Sequence, residues 1–365
     1  MRASLIWRSA FVLGALLIIA TAALRGLRSA EPPAAEPPAP QAPASPPVPP
    51  PTAPPALPTN AEALKEVPCE LKTLVEEFRK SSPSPAYRRY VSEQLRGRRD
   101  SLPAETLWAQ LVAEQEAPVL ELLAELWVAR YARNPDPRVL ERLVEHLSSR
   151  REPALRAVLV RALRHSGEPS TLLLGRSVLK GQDVYATWVR DEAPEVWQAV
   201  VENVREEAAH DFVRRQGVAE KAVALAQEAT DPQVQAALLN ACFLQAASAP
   251  AVERVRQLLQ KSEHPEVRTA AARALGTVSV AQAVESTKVL AAHYALERER
   301  PVRSAILEAI SRLGLSKAVP VLQKLQSVDI SMHSEVERWL TLLSSHPQTW
   351  ELLDKDRRAM DALEL

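Results

Sequence analysis

The stretch His264-Pro-Glu-Val-Arg-Thr-Ala-Ala-Ala-Arg-Ala-Leu-Gly276 decides how this 365-residue chain folds. Val267, Ala271 and Leu275 are spaced by four residues, so they share one face of a helix. Pro265 stands two residues before that face begins, where its missing N–H costs nothing in a first helical turn. Gly276 follows the last apolar position, where a left-handed helix stop is expected.

Working outward, the same pattern recurs with its first apolar residue at Tyr87, Leu120, Leu155, Val196, Val234, Val267, Val302 and Val336. Successive copies are 33, 35, 41, 38, 33, 35 and 34 residues apart. Four and eight residues after each anchor the chain is again apolar, and Ser344 is the one exception among the 24 positions. Prolines at 85, 118, 153, 194, 232 and 265 each lie two residues before an anchor, and Pro301 lies one before. Ser84 and Asp231 directly precede two of them, where a side-chain oxygen can cap free helix amides. Gly314 is a second expected helix stop.

A looser amphipathic run fills the rest of each period: Pro103–Glu116, Pro135–Arg151, Pro169–Lys180, Gly217–Ala229, Ala249–Ser262, Ser279–Glu299 and Leu315–Val328. Two short helices per period cannot bury their apolar stripes alone, so neighbouring pairs must stack in a line. The pattern resembles the HEAT-repeat family, in its short variety named after phycobilisome lyases. The resemblance spans roughly residues 84 to 344, is strongest in repeats 5 to 7 and fades toward Tyr87 and Gly97. It implies an all-α fold, a right-handed α-α solenoid of about eight helix pairs that serves as a scaffold. Repeat 4 departs furthest, with a 41-residue spacing and an extra segment, Gln182 to Ala193.

Composition agrees with helices, because aromatics are 4% of the chain and glycines number nine. Arg2 and Arg8 precede an uncharged apolar stretch, Ser9 to Leu24, which reads as a targeting or anchoring segment. Arg25, Arg28 and the proline-rich region that follows favour a retained membrane-spanning helix over cleavage after Ala22, which stays open as the alternative. The repeats would then lie across the membrane, in the periplasm if the cell is Gram-negative. Between Glu31 and Pro58, 14 of 28 residues are proline. Such a linker cannot form a core, and as polyproline II it would reach on the order of 85 Å. The expected organisation is an anchor or signal over 1–30, a disordered linker over 31–58, a capping helix over 59–83, the repeat array over 84–346 and a C-terminal capping helix over 347–365.

Charge is balanced at 45 basic against 45 acidic residues, but it is unevenly distributed. Arg79 to Arg99 holds seven basic residues and one acid, whereas Gln182 to Asp231 holds five basic and eleven acidic. Solvated helix faces explain this, and a polarised array could also select partners by complementarity. Cys242, at a buried repeat position, and Cys69, in the expected cap, would lie about 40 Å apart given helix layers of roughly 8–10 Å. That excludes an intrachain disulfide.

Motifs for chemistry are weak. Ser177-Val-Leu-Lys180 matches Ser-x-x-Lys but lacks the partner motifs of that nucleophile family. Seven histidines include no His-Glu-x-x-His or His-x-x-x-His spacing, so no metal is expected. Phosphate-binding glycine loops are missing, and no cofactor or catalytic residue is assigned. Arg88, Arg89 and Arg96 beside Tyr87 and Tyr90 form a basic patch, yet a neutral chain sent through a membrane is a poor nucleic-acid binder.

Six tryptophans beyond the N-terminal segment stand out in so aromatic-poor a chain, and Trp127 and Trp339 fit inter-helix packing. Trp188, beside Tyr185 in the extra segment, fits a repeat least and is expected to stand exposed as a binding hot spot. The candidate partner-binding residues are therefore Tyr185, Trp188, Arg88, Arg89 and Arg96. The reading is a non-enzymatic, membrane-tethered scaffold for a protein or peptide, with no small-molecule substrate. The alternatives are a HEAT-like lyase or other ligand-binding enzyme, and a structural spacer of the cell envelope.

Overall fold

Prolines, caps and four-residue spacing produce a run of short helices in the computed structural model, which describes residues 71–81, 84–98, 101–133, 136–165, 178–179, 182–209 and 212–363. The expected membrane segment, the proline-rich linker, Cys69, and Ser177 with Lys180 lie outside the described residues. In chain order the first helices are α1 Leu71–Lys80, α2 Pro85–Arg98, α3 Ala104–Ala113, α4 Ala117–Arg133, α5 Pro137–Ser149 and α6 Pro153–Ala162. The middle holds α7 Val184–Trp188, α8 Pro194–Ala208, α9 Phe212–Glu228, α10 Pro232–Ala241 and α11 Ala249–Lys261. The array continues with α12 Pro265–Leu275, α13 Val280–Tyr294, α14 Arg300–Gly314, α15 Val319–Val328, α16 His333–Ser345 and α17 Pro347–Leu363. All lie within one unit, Pro68–Leu365.

The even-numbered helices α2 to α16 carry the eight anchors, and each packs on the next even-numbered one. A second row lies against them, in which α9 packs on α11 and α11 on α13. This is the stacking that two-stripe helices demand, a helical solenoid. Of the 24 anchor-series positions, 21 are buried. The exceptions are Tyr87, Leu340 and Ser344, in the first and last copies, where a repeat stacks on one side and a single end helix covers the other.

Local punctuation follows the sequence in part. Asp231 accepts a hydrogen bond from the Gln233 amide at 2.7 Å, and Ser84 Oγ accepts one from Tyr87 at 3.4 Å, so both expected caps form. The expected left-handed stops do not. Gly276 has φ −66°, and Leu315, not Gly314, takes the positive φ of 49°. Gly276 is needed for space instead: a Cβ there would sit 3.0 Å from the Ala309 Cα of α14 and 3.1 Å from the Arg273 carbonyl oxygen. The Pro169–Lys180 run also ends differently. Val178–Leu179 pairs antiparallel with Gln182–Asp183, a two-residue ladder with Val178 opposite Asp183.

Candidate functional site

The turn before an anchor helix leaves backbone amides without helix partners, and a recurring ion pair accepts them. Arg156, Arg268 and Arg303 each stand one residue after an anchor. Arg156 bonds both oxygens of Asp191 at 2.6 and 3.0 Å, and Arg268 bonds both of Glu297 at 2.7 and 3.1 Å. Arg303 reaches Asp329 at 2.7 Å. Each carboxylate also accepts amides of its own turn: Asp191 from Ala193, Glu297 from Arg298 and Glu299, and Asp329 from Ser331. Burial works against the Glu297 carboxylate, yet the Arg268 guanidinium and the two amides outweigh it and hold its pKa down to about 2. Asp329 is likewise held low, with burial opposed by Ser331, Tyr294 and Arg303.

Repeat 5 lacks this clamp. Gln235 occupies the arginine position, and Ser262 stands five residues before the next anchor, where Asp191 and Glu297 stand in their repeats. Gln235 turns back and donates to the Ala229 carbonyl at 2.8 Å, so no side chain spans the gap. An open cleft of about 430 Å³ lies there, lined by Gln227 of α9, Gln235 of α10, and Arg254, Gln257 and Lys261 of α11. Its rim is Ser262, Glu263 and His264. Arg268 donates to the Ser262 and Glu263 carbonyls at 3.0 and 3.1 Å and so fixes the rim from behind.

Arg254, Gln257 and Lys261 fall at i, i+3 and i+7 on α11, one face of the helix, and all three are exposed. Arg256 points the other way and is buried, donating to Ser286 and to Gln282 Oε1 at 3.0 Å each. Among the described residues neither Arg254 nor Lys261 has a carboxylate partner. A second hollow of about 750 Å³ lies beside Pro153, Thr187 and Ala193, but its cations are spoken for. There Arg156 pairs with Asp191 and Arg190 with Glu228. The repeat-5 cleft thus combines volume in the range of ligand sites with open charge.

The residues singled out in the sequence are scattered. Tyr185 and Trp188 are 2% and 4% exposed, which corrects the expectation of an exposed hot spot. The extra segment does not protrude: α7 packs against α8 and α9, and the two rings meet edge to face with centroids 5.2 Å apart. Burial drives the Tyr185 phenol above its ordinary pKa. Asp183 caps α7 and forms an ion pair with Lys221 of α9. Arg96 is spanned by Glu125 at 2.6 and 2.8 Å, Arg88 lies 4.6 Å above the Phe78 ring, and Arg89 is exposed.

Trp127 is buried, lies tilted against Trp108 with ring centroids 4.7 Å apart and donates to the Val139 carbonyl at 2.8 Å, the packing role expected of it. Cys242 is buried and its thiol pushed up to about 12 by burial. Among the described residues no three His, Cys, Asp or Glu side chains converge as metal ligands. No described helix is long and apolar enough to cross a membrane.

The clamp and the cleft were missed by reading apolar positions alone. Part of the signal was there: an arginine one residue after an anchor and an acid five to seven before the next mark Arg156, Arg268 and Arg303, but they also mark Arg88 and Glu114, where Glu114 pairs with Arg79 instead, and the arginine is missing at Glu121, Trp197 and Gln235.

A stacked array of helix pairs defines the class, an α-helical repeat protein. Residues 219–311 match the family model of HEAT repeats, so HEAT repeats are present and the cleft lies inside them. Comparison with curated proteins gives no match. Among solved structures, a crystal structure of an engineered protein from the Northeast Structural Genomics Consortium is 18% identical. That match covers 66% of this chain and 96% of the other, with a TM-score of 0.24.

Proposed function

We propose that this protein is a non-enzymatic HEAT-repeat scaffold whose array binds a protein or peptide partner. The observation that supports this best is the architecture of residues 219–311. The helices spend their apolar faces on one another, and the surface left over offers a shallow polar cleft, which suits a chain-like ligand better than an enclosed substrate. The remaining parts of the reading rest on sequence alone. Ser9 to Leu24 tethers the protein to a membrane, the proline-rich linker spaces it off, and the repeats lie on the far side, in a periplasm.

Cross-linking in cells followed by affinity capture of the full chain tests the scaffold. A protein partner recovered in saturable amounts is expected, whereas purified protein that is coloured or turns over a small molecule overturns the reading. Fractionation with N-terminal sequencing tests the tether separately. Intact N-terminus in the membrane fraction is expected, and a soluble form beginning after Ala22 sinks the anchor.

A further inference from the structure

We infer that the repeat-5 cleft binds an extended peptide segment carrying acidic side chains, an assignment that rests on the scaffold reading above. Two independent features point there. The first is charge: Arg254 and Lys261 sit a full two turns apart on one exposed face of α11 with no carboxylate partner among the described residues. In the turns on either side the interrepeat cation is consumed, by Glu228 below and by Glu297 above. Glu263 is the one acid lining the cleft, against the two cations Arg254 and Lys261. An acidic side chain finds a net positive wall here, and a basic one is repelled.

The second is hydrogen bonding. Gln227 and Gln257 are exposed, and Gln235 is half-buried with its amide nitrogen committed to Ala229. A primary amide offers a donor and an acceptor side by side, the pair that one residue of an extended backbone presents. The two open amides, Gln227 and Gln257, and the two cations around about 430 Å³ therefore match a short peptide stretch with acidic side chains, more closely than a free anion or an apolar helix. Gln235 stands in the position that an arginine holds at Arg156, Arg268 and Arg303, so the cleft carries no clamp.

The test pans a yeast-displayed random peptide library against the purified full chain and against its Arg254→Glu/Lys261→Glu variant. Wild-type protein should enrich peptides rich in Asp and Glu, and the variant should bind those peptides about tenfold or more weakly, as expected when charge-assisted bonds are reversed. Lys324→Glu, exposed on α15 and outside the cleft, should leave their binding unchanged, and the melting curves of all three proteins should coincide. Enrichment of neutral or basic peptides, no enrichment at all, or equal binding by the double variant overturns the assignment. The scaffold reading fails or survives separately. A cellular partner captured equally by the wild type and the double variant keeps the scaffold and removes the cleft, while acidic peptides that bind at the cleft of a protein capturing no cellular partner keep the cleft and remove the scaffold.

Discussion

Replacing Glu297 by glutamine tests the interrepeat clamp where it is best formed. The carboxylate is 4% exposed and accepts from Arg268 at 2.7 and 3.1 Å and from the Arg298 and Glu299 amides at 2.8 and 3.0 Å. His293 lies 3.2 Å away on α13. Holding the acid from 4.5 down to about 2 corresponds to roughly 3 kcal/mol of preference for the charged, folded form. Glutamine keeps one acceptor for the amides but turns a donor toward the guanidinium, so Glu297→Gln should cost about 2–3 kcal/mol at pH 7.

The sign of the pH effect follows from the lowered pKa. The unfolded acid takes up its proton first as pH falls, so the stabilisation is complete above about pH 4.5 and disappears as pH drops through about 2. The gap between wild type and variant should therefore shrink by about 2 kcal/mol, to about 1 kcal/mol or less at pH 3. Urea unfolding followed by circular dichroism measures it, with a double-mutant cycle against Arg268→Gln to isolate the pair. Because repeat arrays can unfold in pieces, hydrogen exchange of the α12 and α14 amides should report the same loss. A cost below about 0.5 kcal/mol, or a gap that stays constant from pH 7 to pH 3, would refute the reasoning.

Trp188→Ala should act on stability, lowering it by about 3–5 kcal/mol as a core truncation, and a variant that melts like wild type would contradict its burial. Gly276→Ala places a Cβ against the backbone of α14, and it should lower stability by about 1–3 kcal/mol despite the smaller entropy of the unfolded alanine chain. A neutral or raised melting temperature would show that α12 and α14 can separate without cost.

Periodicity was legible because it is a one-dimensional consequence of burial. Val267, Ala271 and Leu275 repeat every four residues since one helix face meets the next repeat, and 21 of 24 such positions are in fact buried. The proline and aspartate signals worked for the same reason, as caps act within a few residues. Glycine misled, because Gly276 answers to Ala309, thirty-three residues away, and not to its own backbone angle. Trp188 misled likewise: an irregular segment looked like a protrusion, but α8 and α9 offered it a place to pack.

The sequence alone determined the unit of this protein, a helix pair of about thirty-five residues that has to be stacked, along with where most anchor helices begin. Tertiary structure decided which polar residues are used up and which remain open. Arg268 and Arg88 each stand one residue after an anchor, yet one is locked to Glu297 across a repeat boundary and the other lies over the Phe78 ring. That difference depends on which carboxylate the stacking brings within about 3 Å, a distance no spacing along the chain contains.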